Sequence, residues 1–270
     1  MFKFILFLLT FVLFNPIYSG NISGYKKNIL KEQNFYKKNH IKKVTLFLGD
    51  SIFNQEYSKI LKTRYYDNEG RLTLDSLYEF AEDESIPFTK YYYDSDGNMM
   101  YYEEYGSDIV LYTHNFVYSE DGKAEGSSLY SGEPRRIVYN YDTKGYLTST
   151  VGFTYYYSAE DTTGNTPWVE IEKVDFKYNN DFNVIEHKHY RRGFNESDTL
   201  SLFWEIDSKI VKKYDKKKRL IKEEYYNAEN NNISNNFYYY NKEGLIKSTV
   251  LKLEKSENSY YYYIYEFYDK

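Results

Sequence analysis

No cysteine occurs anywhere in the 270 residues. Neither a disulfide nor a lipid-modified cysteine can tie the product down, so stability must come from burial and strand pairing alone. A second absence is a long apolar run beyond the N-terminus. The chain opens with Lys3, the apolar run Phe4 to Phe14, then Asn15, Pro16, Ser19 and Gly20. That order of positive end, short greasy centre and small-residue exit is the layout of a secretory signal peptide. The run falls short of the roughly 20 apolar residues a spanning helix needs. The expected organisation is a signal peptide at 1–19, a basic leader at 20–43 and a repeat domain at 44–270, without an integral membrane span once the signal is removed. Export without cysteine favours a bacterial periplasm, cell surface or medium.

Amphipathic stretches at a 3.6-residue period are also missing, while β-branched and aromatic residues dominate. Asp75 to Glu84 is a possible short helical exception. Nor is there a surplus of positive charge. Removing residues 1–19 takes away one of 35 basic residues and none of 40 acidic ones, leaving a formal charge of −6. Such a chain is a poor polyphosphate binder, which argues against nucleic acid as a partner. The local exception is Lys26, Lys27, Lys31, Lys37, Lys38, Lys42 and Lys43 against Glu32. This stretch reads as a solvated leader or as a docking patch for an acidic surface.

What the chain does have is a repeat. YYDNEGRLT (65–73) recurs with decay as YYDSDGNMM (92–100), VYSEDGKAE (117–125), NYDTKGYLT (140–148), KYNNDFNVI (177–185), KYDKKKRLI (213–221) and YYNKEGLIK (239–247). The glycine position falls at Gly70, Gly97, Gly122, Gly145 and Gly244, with Phe182 and Lys218 as stand-ins. Adjacent copies are 23 to 27 residues apart, apart from intervals of 37 and 36. The wider ones read as longer loops, at Ser158 to Pro167 and near Gly193 to Thr199.

Asp67, Asp94, Asp142 and Asp215 each start a unit in which an acid can bond its own backbone two residues on, and the glycine three positions later, replaced by Lys218 after Asp215, accepts a left-handed conformation. Each unit is thus expected to be a hairpin closed by a type I turn and a glycine bulge, with extra cost or a changed turn at Lys218 and Phe182. The expected fold is all-β: an antiparallel meander of repeated hairpins, about fourteen strands, forming a long curved sheet or partial barrel. The terminal Phe267 to Asp269 resembles a unit cut off at its turn, which would leave an exposed edge.

Tyrosine numbers 36. Its large ring with a polar tip suits cross-strand ladders whose hydroxyls reach water, or an exposed platform for a sugar or protein. The candidate aromatic surface is Tyr91, Tyr93, Tyr139, Tyr141, Tyr238 and Tyr240.

Tyr66, Asp67, Gly70, Arg71, Leu72 and Thr73 match YDxxGRLT at every specified position. Through these residues the chain resembles the YD repeats of the rearrangement-hotspot (Rhs) and teneurin-like superfamily, over roughly Thr63 to Lys270. The resemblance implies a β-rich scaffold without catalysis by the repeat. Seven degenerate units look too few for that family's closed shell.

Chemistry-bearing motifs are sparse. His187 and His189 alternate on a strand and share a face, with Glu186 opposite, yet lack a third metal ligand. Acidic turn residues such as Asp96 lack a full calcium set. Gly49 to Ser51 and Gly126 to Ser128 carry no hydrolase context. The carboxylate pairs Glu103 with Glu104, and Glu223 with Glu224, point to opposite faces of their strands and cannot cooperate. No catalytic residue, metal or cofactor is assigned. The expected function is an exported non-catalytic scaffold or binding protein contacting a glycan or a protein. A secreted hydrolase of surface polymers is the rival, and charged strands such as Lys209 to Glu224 disfavour an outer-membrane barrel.

Overall fold

The computed structural model describes residues 33–269 apart from 52, 57, 79–85, 107–108, 119–123, 131–132, 144–145, 156–167, 182, 196–197 and 254–256. The expected signal peptide, the turn glycines Gly122 and Gly145, the stand-in Phe182 and the Ser158 to Pro167 insertion lie outside the described residues. Among the described residues, a short helix at 33–38 (α1) leads into sixteen strands. They are β1 (Ile41–Gly49), β2 (Lys59–Tyr66), β3 (Leu72–Leu77), β4 (Phe88–Tyr93), β5 (Met99–Gly106) and β6 (Ile109–Tyr118), followed by β7 (Ala124–Tyr130), β8 (Glu133–Tyr141), β9 (Leu147–Tyr155), β10 (Trp168–Tyr178) and β11 (Val184–Asn195). The last are β12 (Asp198–Tyr214), β13 (Leu220–Asn227), β14 (Asn232–Tyr240), β15 (Ile246–Leu253) and β16 (Ser259–Phe267).

Every strand pairs antiparallel with its sequence neighbours, and β1 pairs with β16, so the meander closes into a barrel. The expected all-β antiparallel meander of hairpins is present, and its curvature carries through to closure. Closure corrects one expectation: the terminal strand is no free edge, since it runs against β1 from Ile41↔Phe267 to Gly49↔Tyr260. Three further expectations are revised. β1 begins inside the basic leader, and α1 lies within it; Tyr36 stacks on Tyr66 with ring centroids 4.0 Å apart. Asp75 to Leu77 belong to β3 and not to a helix. The residues near Gly193 to Thr199 extend β11 and β12 instead of forming a long loop, with Asn195 paired to Asp198.

The expected turn is present. The Asp67 N–H donates to the Arg71 carbonyl at 3.0 Å and the Gly70 N–H to the Asp67 carbonyl at 2.9 Å, with Gly70 at φ 75°. The same pair of bonds recurs from Asp94 with Gly97 and from Asn241 with Gly244. Lys218 adopts it too, at φ 63°, so the turn type survives loss of glycine and the strain stays with the lysine. Asp67 Oδ1 also accepts the N–H groups of Glu69 and Arg71, both at 2.9 Å. The same closure appears at the other end of the barrel, between β13 and β14, where Asn230 sits at φ 62°. A search keyed on glycine misses that turn, although asparagine tolerates the left-handed region.

In four of the units the tyrosine before the turn has a defined partner. Tyr93 Oη donates to the Leu72 carbonyl at 2.9 Å, Tyr118 to Met99 at 2.6 Å, Tyr214 to Val184 at 2.8 Å and Tyr240 to Leu220 at 2.7 Å. Each acceptor is the first residue of the return strand in the preceding hairpin. These hydroxyls therefore latch hairpin to hairpin, where the sequence suggested that they reach water. Tyr268, next to the truncated turn, donates to the Tyr66 carbonyl at 2.6 Å and latches the last strand to the first unit.

Registers around the ring define two faces. Leu46, Tyr102, His114, Ile210, Tyr225, Asn236, Thr249, Leu251 and Tyr261 lie on one, each under 9% exposed, and this is the inward face. The outward face carries charge on strand after strand. Lys43 meets Glu266 at 2.7 Å, Lys173 meets Asp175 at 3.0 Å, and Lys213 and Lys222 meet Glu224 at 3.0 and 2.7 Å. Near β1 the outer face is covered locally, where Phe53 packs on Phe47 and Tyr262.

Candidate functional site

The repeat builds one level of the inner wall. In six units the residue three before the turn position pairs across the hairpin with the residue eight after it: Arg64↔Asp75, Tyr91↔Tyr102, Tyr139↔Thr150, Phe176↔His187, Lys212↔Glu223 and Tyr238↔Thr249. One backbone device thus delivers aromatic, neutral polar or ionic pairs to the same height, and two of the six are ion pairs.

On β2 and β3, Asp75 accepts Lys62 Nζ at 2.6 Å and faces Arg64 Nε at 3.4 Å. Burial brings the Lys62 ammonium down to about 8, against the opposing pull of Asp75. Glu104 on β5 faces the same side, and burial raises its carboxyl while Lys62 acts against that rise. The residue as a whole is nevertheless solvent-exposed. On β12 to β14, Glu223 is 3% exposed. It accepts Lys212 Nζ at 3.1 Å, Tyr225 Oη at 2.6 Å and Tyr238 Oη at 2.5 Å. Burial first, then Glu223, pushes both phenols well above their ordinary range. Tyr263 on β16 lies between the two centres and feels both Arg64 and Glu223; burial raises it to about 12. Asp75 and Glu223 are thus each held by a cation on the preceding strand.

The six tyrosines singled out from the sequence sit on this inner wall or at its turn end, and none forms an open outer platform. Tyr91 packs against Ile41, Val44, Tyr66 and Leu72, while Tyr139 and Tyr141 pack with Leu147. Tyr238 is engaged by Glu223. Tyr93 and Tyr240 are latches, and the guanidiniums of Arg71 and Arg219 lie over their rings at 5.4 and 4.6 Å. Each of these arginines also bonds the acid of its own turn, at 2.7 Å in both cases. The arginine of the motif therefore ties a turn to the next hairpin.

His187 and His189 do share the inward face, with ring centroids 5.4 Å apart, and Glu186 faces outward. Burial, with Lys212 and His189 nearby, keeps His187 neutral, and burial brings His189 down to about 4. Among the described residues, no three side chains gather as a metal site. His114, fully buried, stacks on Tyr102 at 5.2 Å, and burial lowers it to about 4. Glu103 and Glu104 point to opposite faces, as do Glu223 and Glu224.

No family model and no curated protein matches the chain. Solved structures do. A porin-like protein from Bacteroides uniformis is 12% identical and superposes over 84% of this chain and 98% of its own, with a TM-score of 0.50. A porin-like protein from Bacteroides vulgatus, 11% identical, covers the same shares at 0.36. A DUF3836 family protein from Parabacteroides distasonis is 16% identical over 45% of this chain and 92% of its own, at 0.25. The first likeness shows a shared fold.

Proposed function

We propose that this chain is an exported bacterial β-barrel that works in water as a non-catalytic binding scaffold, contacting a glycan or a protein. The observation that carries this reading is the division of chemistry between its two faces. A bilayer-spanning barrel needs an outward apolar band about 25 Å tall, whereas here Lys43, Lys173, Asp175, Lys213, Lys222 and Glu224 punctuate the outer wall in ion pairs. Inside, Asp75 and Glu223 are engaged by cations and phenols. Such commitment suits a structural carboxylate better than a general acid or base, which must exchange its proton with substrate. Kinship with YD repeats remains part of the proposal. It is supported by the way Asp67, Gly70, Arg71 and the following tyrosine act together as one hairpin latch. A glycan array probed with purified protein, beside a screen of the same sample for polysaccharide and peptide hydrolysis, tests the reading. Binding without turnover is expected. Sustained turnover that is lost in Glu223→Gln would replace it with the hydrolase.

A further inference from the structure

Aromatic residues that the sequence did not single out form an ordered array on the outer wall of β4 and β5. Phe88 and Tyr105 are cross-strand partners with stacked rings, centroids 4.5 Å apart and planes 12° apart. Two residues further along, Lys90 is opposite Glu103; two beyond that, Tyr92 and Tyr101 stack at 4.3 Å and 17°. The order along the hairpin is aromatic pair, oppositely charged pair, aromatic pair. Glu103 Oε2 sits at its centre and accepts Tyr92 Oη at 2.9 Å and Tyr105 Oη at 2.6 Å. Lys90 Nζ lies 4.8 Å from the centroid of the Tyr105 ring. The neighbouring strand β6 adds Thr113 opposite Glu103 and Asn115 opposite Tyr101. Among the described residues, all of these are half-buried or exposed, on a face over which no other strand lies.

We infer that this patch is a binding surface for a neutral oligosaccharide of equatorial pyranose units, an assignment that rests on the binding reading above and gives it a place. A sugar of that kind has an apolar C–H face and a rim of hydroxyls, so it needs flat π-surface beside acceptors and donors. The two ring pairs supply the surface, Glu103 the acceptor, and Lys90, Thr113 and Asn115 polar groups within the same patch. The array spans four residue steps of strand, roughly 13 Å, which suits two or three linked sugars. Charge sets the class. Lys90 and Glu103 face each other and cancel, so the patch has no net charge for an anionic glycan to follow, and the central carboxylate repels a uronate.

Cellotetraose, tested by titration calorimetry beside an oligogalacturonate of equal length, examines this directly. Wild-type protein is expected to bind cellotetraose and to bind the uronate at least about tenfold more weakly, equivalent to about 1.4 kcal/mol. Tyr101→Ala and Tyr105→Ala should each lower cellotetraose affinity by about tenfold or more, and Tyr239→Ala, on an exposed tyrosine of β14, should not change it. Tyr92→Phe and Glu103→Gln keep the packing and should weaken binding by a few-fold, so a failure of the alanine variants to fold leaves the inference testable. Cellotetraose binding that these substitutions leave intact would remove the site and spare the binding reading. Preference for the uronate would overturn the ligand class. Absence of any glycan or protein ligand on arrays would remove both.

Discussion

At the scale of single residues, identical positions in the repeat carry very different energetic consequences. A Cβ built on Gly70 would lie 2.2 Å from the Gln33 carbonyl oxygen and 2.7 Å from the Lys37 nitrogen, both backbone atoms of α1, whereas one on Gly97 or Gly244 meets nothing within 4 Å. All three glycines have positive φ. Gly97→Ala should therefore cost only the left-handed penalty of about 1–2 kcal/mol. Gly70→Ala should cost more and also displace α1 from its stack on Tyr66. Denaturant midpoints of the two variants, with Tyr36 environment followed by NMR, check this; equal losses would contradict it. The inward histidines set an acid limit. Unfolded imidazoles titrate near 6.5, but His114 and His189 do so at about 4 in the fold. As pH falls, the unfolded chain takes up these protons first, so the stabilisation is complete above 6.5 and is lost progressively down to about 4. For fully buried His114 the loss is on the order of 3 kcal/mol by the lower limit. Thermal melts from pH 7 to 4.5 should show a falling Tm, with a shallower slope in His114→Phe.

At the scale of elements, the hairpin is the repeated unit and the tyrosine latch is what couples neighbours. The four hairpin latches join a hydroxyl to a strand-start carbonyl in the hairpin before, and Tyr268 joins the chain end to the last residue of β2, so loss of one latch should loosen one seam without unfolding the rest. Tyr268→Phe removes the latch across the closing seam, and a lost hydrogen bond of this kind costs about 1 kcal/mol. Amide exchange is expected to quicken along β1 and β16 and to stay unchanged along β13 and β14. The reverse pattern, or no change at the seam, would deny the latch its role. Hairpin existence and the geometry at Asp67, Asp94 and Asp215 were legible from the sequence, because turn chemistry is local. The turn at Asn227 was not, since asparagine there replaces the glycine that signals the reversal. Nor was the strand character of β11 and β12 beyond Arg192. Turn-forming residues such as Gly193 and Asn195 mark loops by composition, and only pairing with a neighbouring strand overrides them.

At the scale of the whole molecule, closure decides which surfaces exist. Before it, Tyr91, Tyr139 and Tyr238 could have lined an open sheet; after it they face inward, and the aromatics left to water are those of the opposite parity, such as Phe88, Tyr92, Tyr101 and Tyr105. The charged outer wall predicts that the folded protein stays in the aqueous phase without detergent. Carbonate extraction and phase partitioning measure this, and recovery in the detergent phase would contradict it.

The sequence by itself determined the strand-turn-strand rhythm, its seven recognisable copies and the alternation that separates two faces, because each follows from contacts within a few residues. Tertiary structure alone decided that the ring closes and which parity turns inward. It also brought Lys62 and Arg64 to Asp75, and Lys212 and two phenols to Glu223. Those outcomes depend on the cumulative twist and register of sixteen strands and on the meeting of β1 with β16, distances that no local pattern encodes.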